Sequence, residues 1–175
     1  SRVRVSPNVF AILGIQAYRG RVFSSQEAEE RRRVALVSHR FWQSRLGGRS
    51  DIVGSRIELD GIPSEVIGVL PADLRWAADI DVFEPHTLFP DWDVRRGERG
   101  DASWFVVARF RPNVTLEEGQ AELSAIARRL DEQRVVSDQG RGIGVMPLGL
   151  YFVDARWRLA LWMLTGAVFC VLLIG

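Results

Sequence analysis

Few residues in this chain are of types that do chemistry, and their spacing gathers them in only one stretch. His39 and His86 lie in unrelated segments, and neither has a carboxylate four residues away to build a metal-ligating pair. Ser38 precedes His39, but a nucleophile and its base are recognised by geometry, and a Ser ahead of an apolar helical pattern is read as its N-cap. The single Cys170 sits in an apolar run, so no intramolecular disulfide or thiolate metal site can be assembled. All 23 basic residues are Arg. Without Lys there is no phosphate loop ending in Gly-Lys-Ser/Thr, and ATP hydrolysis by that route is excluded. The one stretch left is acidic: Asp79 and Asp81 alternate, with Asp73 and Glu84 nearby. This suits a carboxylate pair or a hard-cation site, and a solvated strand edge explains it equally well. No catalytic, cofactor-binding or metal-ligating residue is assigned on this basis, and no cofactor.

The elements that would position these residues read as α+β. With 47% hydrophobic residues and 26% charged, the chain can bury a core, and its net charge of +1 gives no pull toward nucleic acid. Residues 2–6 alternate like a strand, and 8–14 form a short helix closing at Gly14. The polar stretch 24–33 reads as a solvated loop or short helix. Residues 34–37 are an apolar strand, followed by a helix over 39–46 that Ser38 caps, with Val37 stapled onto Trp42. Strands at 56–60 and 65–69 flank Asp60-Gly61, the residue pair of a tight hairpin turn. Further strands are expected at 79–83, at 103–111 (apolar on both faces, hence central) and at 143–146, with a long loop over 85–101. Thr115 and Glu118 make a capping box for a helix whose face carries Leu116, Leu123, Ile126, Ala127 and Leu130.

The run 159–175 carries no charge and, at about 1.5 Å per residue, covers roughly 26 Å of a ~30 Å hydrocarbon core. It reads as a transmembrane helix cut short; a buried core helix is the alternative. Near the start only residues 9–15 are continuously apolar, too few for a signal peptide, so a translocated domain takes its signal from upstream. Trp42 and Trp104 fall at core positions, Trp157 and Trp162 at a membrane interface. Arg156 and Arg158 alone would place that side in the cytoplasm, but a large flanking domain weakens the rule, and topology stays open.

Motifs in a fixed order carry a family resemblance: 5–15 (VSPNVFAILGI), 20–23 (GRVF), 34–38 (VALVS) with 41–43 (FWQ), 45–48 (RLGG), 52–54 (IVG), 57–61 (IELDG), 66–71 (VIGVLP) and 106–116 (VVARFRPNVTL). Together they resemble the periplasmic core domain of MacB/FtsX-type ABC transporter permeases. The resemblance implies a mixed two-subdomain α+β fold, a porter-like α/β part holding the Thr115 helix plus an inserted mixed subdomain spanning 2 to about 83. It implies a core domain over 1–153, its front part missing, and a transmembrane helix beginning at 154–175. It implies a permease subunit in the bacterial inner membrane, with 1–153 periplasmic, relaying ATP-driven motion to export. Its partners would be an ABC-type ATPase subunit or domain, a periplasmic adaptor or outer-membrane component, a second copy in a homodimer or pseudo-dimer, and the lipid bilayer. The alternative is an FtsX-like membrane-anchored regulator acting on a periplasmic partner. Gly14, Gly20, Gly54, Gly61 and Gly68 then serve backbone geometry.

Overall fold

The structure is a computed structural model that describes residues 1–74, 77–95, 105–132 and 143–151. Val34–Val37 (β3) is apolar at every position, so it needs cover on both faces, and it lies in the middle of a six-stranded mixed sheet. Ile62–Val69 (β5) flanks it in parallel and Val82–Pro85 (β6) antiparallel. Past β6 the sheet ends on Arg2–Val5 (β1), which runs parallel to β6. On the outer side of β5, Arg56–Leu59 (β4) and the two-residue Arg19–Gly20 (β2) both pair antiparallel.

The β4–β5 hairpin turns on Asp60 and Gly61, with φ of 52° and 77°. Positive φ at both central residues makes the primed turn that matches strand twist. The return strand starts at Ile62, earlier than the spacing predicts, because Leu59 pairs directly with Ile62. Where β2 crosses β5 the backbones touch: a Cβ on Gly20 would strike the Ile67 carbonyl, and one on Gly68 the Arg21 carbonyl. Only glycines allow that approach.

Two helices cover opposite faces of the sheet. Val9–Leu13 (α1), closed by Gly14 in the left-handed region, drives Phe10 into a layer with Leu36, Ile67 and Phe83. The ring of Phe10 meets Phe23 at 5.4 Å and Phe83 at 6.1 Å, both edge-on, an arrangement that adds to the area buried. His39–Arg45 (α3) starts where Ser38 Oγ accepts the Phe41 amide. It sets Trp42 against Ala35, Val37, Val66 and Val82 on the other face, and the Trp42 indole donates to the Arg49 carbonyl at 2.9 Å. Cap, helix and the Val37–Trp42 contact match the sequence reading.

The polar stretch 24–33 does contain a helix, Ser25–Glu29 (α2), opened by a complete Ser24–Glu27 capping box. It is not simply solvated, because Glu27 and Ala28 are buried. Thr87 Oγ1 donates to the Ala28 carbonyl at 2.5 Å, tying α2 to the 3₁₀ turn His86–Leu88. With Trp92–Arg95 (α4), that turn gives structure to the expected long loop.

By contact density the chain divides into Ser1–Arg109 and Phe110–Gly175. In the second unit Leu116–Glu132 (α5) begins with the expected box: Thr115 N donates to Glu118 and Glu118 N to Thr115 Oγ1. Phe110 lays its ring on Gly119, where any Cβ would collide with it. Leu148–Tyr151 (α6) closes the described part.

Two expected strands enter no ladder among the described residues. Within 103–111 the described residues 105–111 enter no ladder, and within 143–146 none is paired. A strand pattern needs a partner edge to become a strand. For 143–145 the backbone groups are taken by a side chain instead: Gln120 Nε2 donates to the Ile143 carbonyl at 2.5 Å, and Val145 N donates to Gln120 Oε1 at 2.6 Å. The apolar run 159–175, Trp104, Trp157, Trp162, Arg156, Arg158 and Cys170 lie outside the described residues. Among the described residues, no helix is long and apolar enough to cross a membrane.

Candidate functional site

The acidic stretch does not assemble as a strand face. The strand begins at Val82, so Asp79 sits in an exposed turn and Asp81 just ahead of the ladder. Asp81 is bound by Arg40 at 2.8 Å, and the Ser1 hydroxyl donates to the Asp79 carbonyl. Among the described residues no three potential metal ligands converge. His39 packs edge-on against Tyr18 and Trp42, each at 5.3 Å, which accounts for it as a packing residue.

One buried carboxylate locks α2. Glu27 accepts two bonds from the Arg21 guanidinium, at 2.7 and 2.8 Å, while its Oε2 also accepts the Ser24 amide. The bidentate Arg21 contact, outweighing the cost of burial, holds the Glu27 carboxyl down at a pKa of about 2. A second buried carboxylate, Glu84 on β6, lies between two cations, with Arg2 Nε at 3.3 Å and Arg4 Nε at 3.5 Å. Register explains the pairing: Arg4 stands directly across the ladder from Glu84, on the same face. Arg2 also reaches Asp60 at the hairpin tip.

Beside this ion cluster runs the candidate site, a groove of about 710 Å³ along the outer edge of β1. That volume falls within the range of ligand clefts. Its walls differ chemically. Val3, Val9 and Ile12 are apolar and belong to the α1 side of the sheet. Arg4, His86 and Phe89 line the other side, with the Arg4 guanidinium 4.9 Å above the Phe89 ring and His86 edge-on to Trp92 at 4.5 Å. Burial lowers the His86 pKa, the Val5 backbone acting weakly the other way, so its ring is neutral at neutral pH. Arg4 Nε, Glu84 Oε2 and His86 Nδ1 are buried without a hydrogen bond of good geometry. Residues 105–107 border the groove, and the Arg109 guanidinium anchors the adjoining backbone by donating to the Ile12 carbonyl at 2.8 Å.

Sequence reasoning found none of this groove. The signal was present as alternating Arg2 and Arg4 and as Glu84 in an otherwise buried strand, but only the β1–β6 register brings them together.

These features define a mixed α/β domain whose buried Glu27 and Glu84 pair with arginines and which carries a groove along a strand edge. The chain belongs to the MacB-like periplasmic core domain family, whose model matches residues 2–126. Among solved structures, the periplasmic region of MacB from Actinobacillus actinomycetemcomitans superposes with a TM-score of 0.53 at 11% identity, covering 75% of this chain and 56% of that one. This shows the shared fold. A domain of a protein described as a permease from Porphyromonas gingivalis aligns over 87% of this chain and 69% of its own, at 14% identity and a TM-score of 0.47. The extracellular domain of the noncanonical ABC-type transporter YknZ from Gram-positive bacteria covers 49% and 42%, at 20% identity and 0.41. The chain thus spans about half the length of the MacB periplasmic region. No curated protein matches the chain.

Proposed function

We propose that this chain is the periplasmic part of an ABC transporter permease subunit that relays ATP-driven motion to the export of a substrate. Residues 1–153 form the outer domain, and 154–175 begin a helix in the inner membrane. The observation that carries the reading is the family match over 2–126, which takes in every strand of the sheet. The chemistry agrees with a mechanical role. Glu27 and Glu84, the buried carboxylates, are spent on arginines that hold elements together. A sheet covered on both faces moves as one body, which is what a relay requires. ATP hydrolysis falls to a separate ATPase subunit or domain. The working unit is a homodimer or pseudo-dimer that meets a periplasmic adaptor or outer-membrane component.

The test is to express the uninterrupted reading frame that contains this chain and fractionate the cells. The product is expected to stay in the inner membrane through alkaline carbonate washing, to need detergent for extraction and to bring an ABC-type ATPase with it. A product washed free without detergent would sink the proposal.

A further inference from the structure

Among the described residues no strand pairs with the outer edge of β1, and the groove beside it has the shape and chemistry of a strand-docking site. Parallel pairing fixes which backbone groups point where. The Val82 amide donates to the Ser1 carbonyl, so by the alternation of the ladder Ser1, Val3 and Val5 turn their backbone groups toward β6. Arg2 and Arg4 turn theirs outward, into the groove. Natural sheets usually blunt such an edge with Pro, a bulge or a covering element. The four residues of β1 contain no Pro, and their register with β6 runs without a bulge. The Arg2 and Arg4 side chains are folded onto Glu84, with Arg4 also over Phe89.

We infer that this groove binds an extended peptide segment of a partner protein, added to the sheet alongside β1, with apolar side chains toward α1 and an acidic side chain toward Arg4. Three observations choose this occupant. First, the backbone groups of Arg2 and Arg4 that turn away from β6 meet no ladder partner among the described residues, and a peptide strand satisfies them where a lipid chain does not. Second, side chains of an added strand alternate between the two faces of the sheet, and the two walls of the groove divide in the same way. Val3, Val9 and Ile12 receive one set, Arg4, His86 and Phe89 the other. Third, the charge is complementary to an acid. Two guanidiniums share the single Glu84 carboxylate; Arg2 has Asp60 as a further partner, while among the described residues Arg4 has no second carboxylate. The inference goes beyond the transporter reading and stands whether or not that reading holds.

The probe is a blocked hexapeptide of alternating valine and glutamate, titrated into the full chain and followed by calorimetry. Two further versions carry N-methyl groups, one on the valines and one on the glutamates. In an added strand only one alternate set of amides faces β1. One N-methylated version is therefore expected to lose at least about tenfold in affinity while the other binds like the parent. Ile12→Glu, at the apolar wall, is expected to weaken the parent peptide at least about tenfold with little change in the unfolding midpoint. No binding at millimolar peptide, or equal effects of the two methylation patterns, overturns the inference. Slow hydrogen exchange at the Arg2 and Arg4 amides of the free chain also overturns it, since the edge would then be filled already, by residues 105–107 or by a second copy.

Discussion

Residues 1–109 and the described residues after them are ordered by different means. In the first unit Phe10, Leu36, Val69 and Phe83 are fully buried, and the contacts that bury them join segments far apart in the chain. In the second, Ile126 is 43% exposed and Met146 59%, and order comes from single contacts: the Thr115–Glu118 box, the Phe110 ring on Gly119 and the Gln120 amide on the backbone of 143–145. An apolar pattern alone does not make a strand. Val34–Val37 became a central strand because β5 and β6 supplied two edges. The stretch at 105–111, apolar but for Arg109 and Arg111, has no ladder among the described residues. Pattern specifies which face a segment hides; a partner decides whether it is a strand.

Substitutions in the two units should separate accordingly. The largest effect is expected for Phe83→Ala, which empties the layer between α1 and the sheet and should cost about 3–5 kcal/mol in urea unfolding. A cost below about 1 kcal/mol would mean that the first unit is not closed. Next comes Glu27→Gln, which removes the bidentate Arg21 contact. Because Arg21 is half exposed, solvent screening reduces the loss to about 2 kcal/mol. The same pair gives a pH dependence whose sign is fixed. The Glu27 pKa is depressed in the folded state, so its contribution is full above the unfolded value near 4.5 and is lost as pH falls through about 2. Wild type should therefore lose stability relative to Glu27→Gln only below about pH 4.5; parallel pH profiles would contradict the assignment.

Smaller effects are expected in the second unit. Gln120→Leu releases the backbone of 143–145 and should cost about 1 kcal/mol, read most directly as faster hydrogen exchange at the Val145 amide. Ile126→Ala, on the exposed side of α5, should change stability by less than about 1 kcal/mol. If it instead cost as much as Phe83→Ala, the two units would share one kind of core.

How much was legible in the sequence divides along the same line. The Ser38 cap, the Asp60-Gly61 turn and the Thr115 box were readable because each is a contact between residues a few positions apart. Ser24 and Glu27 form the same kind of box as Thr115 and Glu118, yet no apolar run succeeds it to announce the helix, and a charged residue gave no sign of being buried. Asp79 and Asp81 alternate like strand residues, but the ladder starts only at Val82, one residue later. The groove was illegible because it depends on which edge β1 leaves open. That is a property of strand order, which no local pattern encodes.

The measurement that tests the proposed relay most directly is a pair of spin-label distances in the complete protein, assembled with the ABC-type ATPase that the proposal assigns to it, in a Cys170→Ser background. Labels at Gln26→Cys and Glu58→Cys, both exposed in the first unit, report its internal shape. A label at Gln26→Cys alone reports the distance between two copies. The relay predicts that ATP changes the distance between copies by several ångströms while the internal distance stays fixed. An unchanged distance between copies, or an internal distance that shifts as much, would contradict a rigid domain that transmits motion.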